Sequence, residues 1–484
     1  MLTQSCAPLV KALQECRCRQ GAAFYTPGHK RGQGISALHQ AVFGDDIFYV
    51  DLPELPELDD LFAPEAAIFE AQQLAAEAFS ADHTWFLVNG STCGVEAALL
   101  ATCGPGDKVL VPRNAHQSVL SGLILSGAVP IWLAPVYEVD WHLALGIRAD
   151  EIAIALEAHP DAKAVLVVSP TYEGVCSDIA AIAQVVHECN IPLIVDAAHG
   201  PHFGFHPDLP SSPLRDGADI VIHSVHKVLA AFTQAAMLHG QGERFNINRL
   251  RQALRITQSS SPSYLLLGSL DAARHQMANQ GYGLMERTLD LAQQARRQLM
   301  DSGIDVLNVA TGHLESTFQQ DLTRLTVDVS VKGMTGFEAD AWLHDRGVTA
   351  ELPTLRQLTF IVSLGNSAQD IQNLVQGLDL LPRQDKAVET YEPSFVGAIP
   401  VLSPREAFFS QTMVVPTTAA LGKVSAETVC VYPPGIPTLV PGEQITAATI
   451  HSLQLARSSG AHLSGLADST LQTLQIVRPD LYNL

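Results

Sequence analysis

The sequence predicts an α/β protein in which helices cover a mostly parallel sheet. Between about residues 65 and 280, short apolar segments alternate with segments of helical periodicity. The apolar segments, residues 164–169 and 192–196 among them, are apolar throughout, which is typical of strands buried on both faces. After about residue 285 the pattern becomes that of a smaller α/β unit, and a last unit begins near residue 390.

Apolar periodicity and turn residues place the individual elements. In the first 285 residues, strands are predicted at 84–88, 108–112, 130–133, 164–169, 192–196 and 219–223. Helices are predicted there at 9–18, 94–102, from about 116, and 178–189, the last capped by Asp178. Further on, we expect helices at 289–300, 336–346 and 368–381 and strands at 324–331 and 357–364.

These elements predict four parts of the chain. An N-terminal arm covers residues 1–35, and a large domain, which is expected to bind the cofactor, covers 36–285. A small α/β domain covers 286–385, and a C-terminal domain covers 386–484.

The charge balance argues against a general nucleic-acid binder. The 484 residues include 29 Lys+Arg and 50 Asp+Glu, so the formal net charge is -21, whereas a nucleic-acid binder needs a basic face. No apolar run reaches the roughly 18 residues of a membrane helix. Charged residues make up 16% and hydrophobic residues 47% of the chain, so we expect a large core and an oligomer interface.

The cysteines and the N-terminal segment predict a cytoplasmic location. The eight cysteines include no C-x-x-C pair, and a disulfide framework is typical of short secreted chains. The first thirty residues lack the pattern of a secretory signal peptide. We therefore expect reduced thiols.

Polar residues follow the predicted strands at their carboxyl ends, where ligands bind in open α/β sheets. Gly90-Ser91-Thr92 before a helix is typical of a phosphate cradle, although Ser91 or Thr92 can equally cap the helix. Asp196 ends an apolar strand and needs a cationic or hydrogen-bonding partner, or else forms a cap or structural ion pair. Lys227 follows another buried strand and is either a desolvated nucleophilic amine or a surface lysine.

Together these residues match the requirements of pyridoxal 5'-phosphate. This cofactor needs a phosphate cradle, a carboxylate for its pyridinium nitrogen and a lysine for a Schiff base. Asp196 keeps the ring nitrogen protonated and Lys227 provides the amine. His116 is placed to lie flat on the ring, and Ser224 adds a contact to the phosphate.

Three histidines, His199, His202 and His206, form an H-x-x-H-x-x-x-H pattern that resembles a zinc site. Aromatic and proline residues interrupt any helix that would align them on one face. We therefore favour a loop beside the cofactor and predict no metal.

The chain resembles the bacterial ornithine/lysine/arginine decarboxylases of the aspartate-aminotransferase-like fold, fold type I of the pyridoxal-phosphate enzymes. The Pro-Gly-His-Lys motif starts at Pro27, so the resemblance is to the short form, without a receiver-like N-terminal domain. The matching motifs are Thr26-Pro27-Gly28-His29-Lys30, Leu58-Asp59-Asp60-Leu61, Asn89-Gly90-Ser91-Thr92, Arg113-Asn114-Ala115-His116-Gln117-Ser118, Pro170-Thr171-Tyr172, Asp196-Ala197-Ala198-His199-Gly200, Ser224-Val225-His226-Lys227, Thr233-Gln234, Ser261-Pro262-Ser263-Tyr264, Tyr432-Pro433-Pro434-Gly435-Ile436-Pro437 and Pro441-Gly442-Glu443.

The resemblance implies roles for individual residues. It implies that His226 lies at the active site beside Lys227 and that Ala198 packs on the ring face opposite His116. Glu443 resembles a carboxylate that faces the distal cation of the substrate; the alternative is a surface position after a Pro-Gly turn. The resemblance further implies a homodimer with shared active sites. The residues that it implies at the cofactor are Ser91, Thr92, His116, Asp196, Ala198, His199, Ser224, Lys227 and, reaching a neighbouring subunit, Ser259 or Ser260.

The sequence departs from the family pattern at a few positions. Ala197 stands where an acidic residue is frequent, and Cys93 stands where a hydroxyl residue is frequent. Residues 259–261 are a serine run in place of a threonine-rich one. Each departure is expected to adjust phosphate contacts or substrate fit without removing a part that the chemistry needs.

The leading hypothesis is decarboxylation of a basic L-amino acid by a lyase of polyamine biosynthesis. Arginine, which would give agmatine and CO2, is favoured over lysine and ornithine. An aminotransferase or another lyase of the same fold is the alternative, since Arg346 and Arg356 are available to hold a substrate carboxylate. A non-catalytic regulatory homologue is the third hypothesis.

Overall fold

A computed structural model describes residues 2–309, 318–389, 399–432 and 435–481 of the chain. Its α-helices are α1 (Pro8–Cys18), α2 (Ala37–Phe43), α3 (Ala67–Phe79), α4 (Gly90–Thr102), α5 (Gln117–Ser126), α6 (Ala149–Ala158), α7 (Ile179–Glu188), α8 (Ile247–Thr257), α9 (Tyr264–Asp301), α10 (Gly336–His344), α11 (Ala368–Asp379), α12 (Pro404–Phe409) and α13 (Ala447–Ser458). None of the helices in these ranges is long and apolar enough to span a bilayer.

The strands follow the same order along the chain. They are β1 (His83–Leu87), β2 (Lys108–Pro112), β3 (Val129–Leu133), β4 (Tyr137–Glu138), β5 (Leu143–Ala144), β6 (Ala164–Val168), β7 (Val175–Ser177), β8 (Leu193–Asp196), β9 (Ile220–His223), β10 (Ala236–Gly240), β11 (Phe318–Gln320), β12 (Arg324–Asp328), β13 (Leu352–Pro353), β14 (Gln357–Ile361), β15 (Thr412–Pro416), β16 (Val429–Tyr432), β17 (Ile436–Leu439), β18 (His462–Ser464) and β19 (Thr473–Val477).

The chain divides into two compact units. The first unit contains Met1–Ala101 and Val195–Glu286, and the second contains Thr102–Ile194 and Arg287–Leu484. The predicted boundaries of the arm and the three domains stay predictions.

In the first unit, β10 pairs antiparallel with both β1 and β9. β1 and β9 therefore run in the same direction, in agreement with the predicted mostly parallel sheet. β10, which was not predicted, is the antiparallel strand between them, and it is buried along its whole length as β9 is.

In the second unit, β2 pairs in parallel with β3 and β6, as predicted. Two further antiparallel groups are formed by β12 to β14 and by β16 to β18. Each group has its own apolar core, one beneath α10 and α11 and the other beneath α13. The α/β class is confirmed.

Several predicted boundaries change. Asp178 caps α7 as predicted, by accepting a hydrogen bond from the Ala181 N–H. The helix predicted at 289–300 is the end of α9, which begins at Tyr264. Asp271 and Arg274 form a buried ion pair in this long helix. Asp271 also accepts a hydrogen bond from the Leu9 N–H of the N-terminal arm, and Arg274 donates to the Cys6 carbonyl.

Two buried histidines pack together between β9 and β10. Nδ1 of His223 lies 3.1 Å from Nε2 of His239, and Nδ1 of His239 lies 2.7 Å from the Thr84 hydroxyl. Burial, assisted by the neighbouring His202, lowers the pKa of His223 to about 3. Burial and the proximity of His223 also lower the pKa of His239 well below its ordinary value. Both rings are therefore neutral in the folded chain at neutral pH.

We expect this pair to make the fold acid-sensitive. An unfolded histidine takes up a proton near pH 6.5, whereas the folded rings do not, so stability falls as the pH drops from about 6.5 toward 3. Between pH 7 and pH 5 the loss is roughly 2 kcal/mol for His223, and His239 adds to it in the same direction. His239→Gln removes one titrating ring and should flatten the pH dependence of the thermal midpoint, measured by calorimetry. Equal slopes for the variant and the parent would contradict the prediction.

Candidate active site

The loop after β1 presents hydroxyl groups at the start of α4. The helix begins at Gly90, whose φ of 74° lies in the left-handed region that glycine adopts without strain. Ser91 and Thr92 therefore lie inside the first turn instead of preceding it as caps. The buried Ser224 hydroxyl donates to the Ser91 hydroxyl at 2.7 Å. Free N–H groups and clustered hydroxyls at a helix N-terminus form an anion site.

Two glutamines hold this loop, and the sequence predicted no role for either. The Gln258 side chain accepts a hydrogen bond from the Val88 N–H at 2.9 Å, and the Gln234 amide donates to the Val88 carbonyl at 2.6 Å. Gln234 has a φ of 85°, which is strained for a residue with a side chain. The Thr233-Gln234 motif was the available signal, but the partner lies 146 residues away.

Asp196 ends β8 as a buried carboxylate in the first unit. The Ala198 N–H donates to its Oδ1 at 3.2 Å, and the Ala197 N–H donates to the Ile222 carbonyl of β9. Burial raises the pKa of Asp196, while the Lys227 charge and the Ala198 N–H oppose the shift. A carboxylate in these surroundings gains strongly from a cationic partner.

Lys227 lies in the same unit, in a single 3-10 turn (Val225–Lys227) after β9. Its Nζ lies 2.9 Å from Nε2 of the buried His199. Nδ1 of His226 lies 3.0 Å from the Ala235 carbonyl, and burial lowers the pKa of His226. The structure therefore brings Asp196, His199 and Lys227 together from two strand ends.

His116 lies in the second unit, where it caps α5. Its Nδ1 accepts a hydrogen bond from the Ser118 N–H at 3.1 Å, which leaves Nε2 to carry the proton of the neutral ring. The Gln117 N–H donates to the Gly435 carbonyl at 3.0 Å. A Cβ at Gly435 would lie 3.2 Å from Nε2 of His116, so a side chain there would press on this ring, and the φ of 80° at this position also favours glycine.

Glu443, also in the second unit, is buried and paired with Arg113. Its two carboxylate oxygens accept from Nε and Nη2 of Arg113 at 2.9 and 2.8 Å. Arg113 also donates to the Pro437 carbonyl at 2.6 Å and lies over the Trp132 ring. The alternative surface position of Glu443 is therefore wrong. Its recognition of a substrate cation stays a prediction.

We expect Glu443→Gln to destabilise the fold because it leaves the buried Arg113 charge without its partner. Removing one member of such a pair costs about 3–5 kcal/mol, whereas removing both charges costs much less. Thermal or urea denaturation should show the loss, and the double variant Arg113→Met/Glu443→Leu should recover part of it. A Glu443→Gln protein as stable as the parent would contradict the prediction. The KM for a basic amino acid should be compared only on folded variant protein.

The remaining candidate residues have separate surroundings. Ser259 and Ser260 are exposed after α8, and the Ser259 N–H donates to the Asn89 side chain at 3.4 Å. His206 pairs with Glu286 at 2.7 Å, while His202 is fully buried. Among the residues that the structure describes, no group of three His, Cys, Asp or Glu side chains is arranged to hold a metal ion.

Comparison with known proteins decides the family. The family description "Orn/Lys/Arg decarboxylase, major domain" matches residues 7–320, and the corresponding C-terminal domain matches residues 392–476. The chain belongs to the Orn/Lys/Arg decarboxylase family. As a member of this decarboxylase family it is an amino acid decarboxylase, an enzyme of the lyase class, and the predicted fold type I is confirmed.

The similarity to relatives in this family covers almost the whole chain. An arginine decarboxylase of Bacillus anthracis is 38% identical over 491 residues, covering 99% of this chain and 98% of the relative. An arginine decarboxylase of Bacillus subtilis is 37% identical, with 99% of each chain covered. The crystal structure of a Francisella novicida lysine decarboxylase matches with a TM-score of 0.83 at 22% identity and covers 98% of this chain and 81% of its own. Such relatives support an enzyme that acts on basic amino acids.

Proposed function

We propose that this enzyme is a pyridoxal-phosphate-dependent arginine decarboxylase that makes agmatine and CO2 for polyamine synthesis. The observation that carries the proposal is the grouping, within one unit, of the Ser91–Ser224 hydroxyl pair, the buried Asp196 and the Lys227 amine. The hydroxyl pair would bind a phosphate, Asp196 would bind a cationic ring nitrogen, and the Lys227 amine would bond to an aldehyde carbon.

The residues present fit this cofactor. The first turn of α4, with Ser91, Thr92 and Ser224, offers hydrogen-bond donors to a phosphate dianion. Asp196 is already desolvated, so a pyridinium N–H is a favourable partner for it. When bound, the cofactor supplies an electron sink for the negative charge that the loss of CO2 leaves on Cα.

The chain's own residues hold and orient the reacting groups. Asp196 would hold a proton at the ring nitrogen, and its burial would keep water from competing for that proton. Lys227 provides the amine for covalent attachment, and His226 adjoins it in the same turn. His116 would stack on one face of the ring and Ala198 would pack on the other. Glu443 would face the distal cation of the substrate only while it also keeps, or exchanges, its ion pair with Arg113.

Arginine is the proposed substrate because the two arginine decarboxylases share 38% and 37% identity with this chain, whereas a Pseudomonas aeruginosa lysine decarboxylase shares 26%. The test is to incubate purified protein and pyridoxal phosphate separately with arginine, lysine and ornithine and to identify the amines and CO2 formed. Agmatine as the main product supports the proposal. Cadaverine or putrescine as the main product would show that lysine or ornithine, and not arginine, is the substrate. Transfer of the amino group to a keto acid without release of CO2 would show that the enzyme is an aminotransferase.

The aminotransferase alternative gains no support from its two candidate arginines. Arg346 donates to the Trp342 carbonyl and stacks 3.6 Å from the centre of the Trp342 ring. Arg356 forms an ion pair with Asp328 at 2.5 Å and donates to the Ser330 hydroxyl. Both guanidinium groups therefore already have partners in their own unit.

A homodimer is also part of the proposal. In the first unit, Leu38 and Val42 of α2 are 80% and 74% exposed. Phe43 at the end of α2 lines a cavity of about 600 Å³ together with Phe232, Asn89 and Ser259. The exposed apolar residues therefore extend to Ser259, a predicted cofactor contact, and a second subunit would cover them there.

We expect the double substitution Leu38→Glu/Val42→Glu to produce monomers with reduced activity, because two charges would be buried in the proposed interface. Sedimentation velocity measures the assembly. Ile154→Glu is the matched control, since Ile154 is 67% exposed on α6 of the second unit. A parent protein that sediments as a fully active monomer would contradict the proposed dimer.

A further inference from the structure

The amine of Lys227 points at a basic nitrogen. Nζ lies 2.9 Å from Nε2 of His199, and His199 is only 3% exposed. An ammonium group has donors and no acceptor, so Nε2 is the acceptor in this contact and a neutral His199 carries its proton on Nδ1. From the sequence, His199 is predicted to lie beside the cofactor, without a specific role.

Lys227 needs a proton acceptor if it is to react as proposed. A lysine with an ordinary pKa near 10.4 is almost entirely an ammonium ion at neutral pH, and an ammonium nitrogen has no lone pair. The Asp196 carboxylate interacts electrostatically with Lys227 and favours the charged form.

His226, which directly precedes Lys227 in the chain, has its own contact. Its Nδ1 lies 3.0 Å from the Ala235 carbonyl, which accepts a proton-bearing nitrogen, and the Lys227 charge opposes its protonation. His199 is thus the neighbouring base whose acceptor nitrogen is aligned with Nζ.

We propose that His199 is the base that removes a proton from the Lys227 ammonium group before its amine reacts. One N–H bond at Nζ breaks, a new N–H bond forms at Nε2, and the electron pair stays on Nζ. The products are a neutral Lys227 amine and an imidazolium at His199. The inference rests on the proposed role of Lys227 as the reacting amine, and it adds a proton acceptor to that role.

The test measures the protonation of Lys227 in cofactor-free protein. Reductive methylation with formaldehyde and a borane reagent modifies neutral amines, and mass spectrometry of the peptide that contains Lys227 gives its rate between pH 6 and pH 10. His199→Gln is the informative variant because its amide accepts a hydrogen bond from Nζ but takes up no proton. His275→Gln is the control, since His275 contacts the Ser5 carbonyl on an exposed part of the same unit.

We expect His199→Gln to methylate Lys227 about tenfold more slowly at pH 7.5, because the variant lacks the base that takes up the ammonium proton. His275→Gln should match the parent. The rate of pyridoxal phosphate capture, followed by absorbance, should fall by a similar factor in His199→Gln, while competition by inorganic phosphate should be unchanged.

A methylation profile of His199→Gln equal to or faster than that of the parent would overturn the proposal. So would an equal decrease in His275→Gln. Circular dichroism identifies a variant that fails to fold, and His199→Asn then serves as the second variant. The labelling uses no amino acid substrate, so its outcome is independent of whether arginine is decarboxylated, which the amine assay tests separately.

Discussion

Lys227→Ala should abolish the decarboxylation of arginine, with a loss of roughly four orders of magnitude or more. The expected size is that of removing a residue that forms a covalent bond in the reaction. Lys227 follows β9 in a 3-10 turn and contacts His199, and we propose its amine as the group that attaches the cofactor. Product assays with pyridoxal phosphate present throughout measure the loss.

A second measurement ties that loss to the proposed attachment. Borohydride reduction of the loaded parent should leave a stable adduct on the peptide that contains Lys227, and the variant should lack it. Lys163→Ala is the matched control, because Lys163 is exposed in the second unit, and it should keep both activity and adduct. An adduct found on another lysine would show that the assignment is wrong.

Asp196→Asn should reduce turnover by about a thousandfold while leaving the cofactor attached to Lys227. At about 4 Å and an effective dielectric constant of 20, two opposite charges interact by about 4 kcal/mol, which corresponds to that factor in rate. Burial raises the pKa of Asp196, which indicates that little water surrounds the carboxylate and screens its charge. The amide keeps the shape of the side chain and removes its charge.

The measurements for Asp196 separate binding from chemistry. Cofactor content, from absorbance and from the borohydride adduct, should remain near the parent value, and Asp196→Ala should show the same decrease in kcat. Asp161→Asn is a control, since Asp161 is an exposed partner of Lys108. Turnover close to that of the parent would show that Asp196 is not needed to keep the ring nitrogen protonated.

Local features of the sequence predicted many elements. β2 spans Lys108–Pro112 as predicted, because a short apolar run between turn residues is sufficient to define a buried strand. The cap at Asp178 depends on contacts within three residues, which the sequence also shows. The motifs that resemble the decarboxylases identified the family, whereas the cofactor and the roles of the candidate residues stay predictions.

Features that depend on contacts between distant residues could not be predicted from local sequence patterns. The segment of α9 before residue 289 contains Gly281 and Gly283, which weaken its helical pattern. Its buried pair Asp271–Arg274 nevertheless docks on the N-terminal arm, about 260 residues away, and this contact outweighs local propensity. The antiparallel direction of β10 was equally hidden, because burial makes strands apolar whatever their direction.

The sequence by itself determined which chemical groups this enzyme carries and the order of most of its elements, since both depend on residue type and short-range periodicity. Only the tertiary structure decided which of those groups meet. His199 and Lys227 are 28 residues apart, and Arg113 and Glu443 are 330 residues apart. Such pairs form because packing brings strand ends together, and a buried charge or base is stable only where packing supplies its partner.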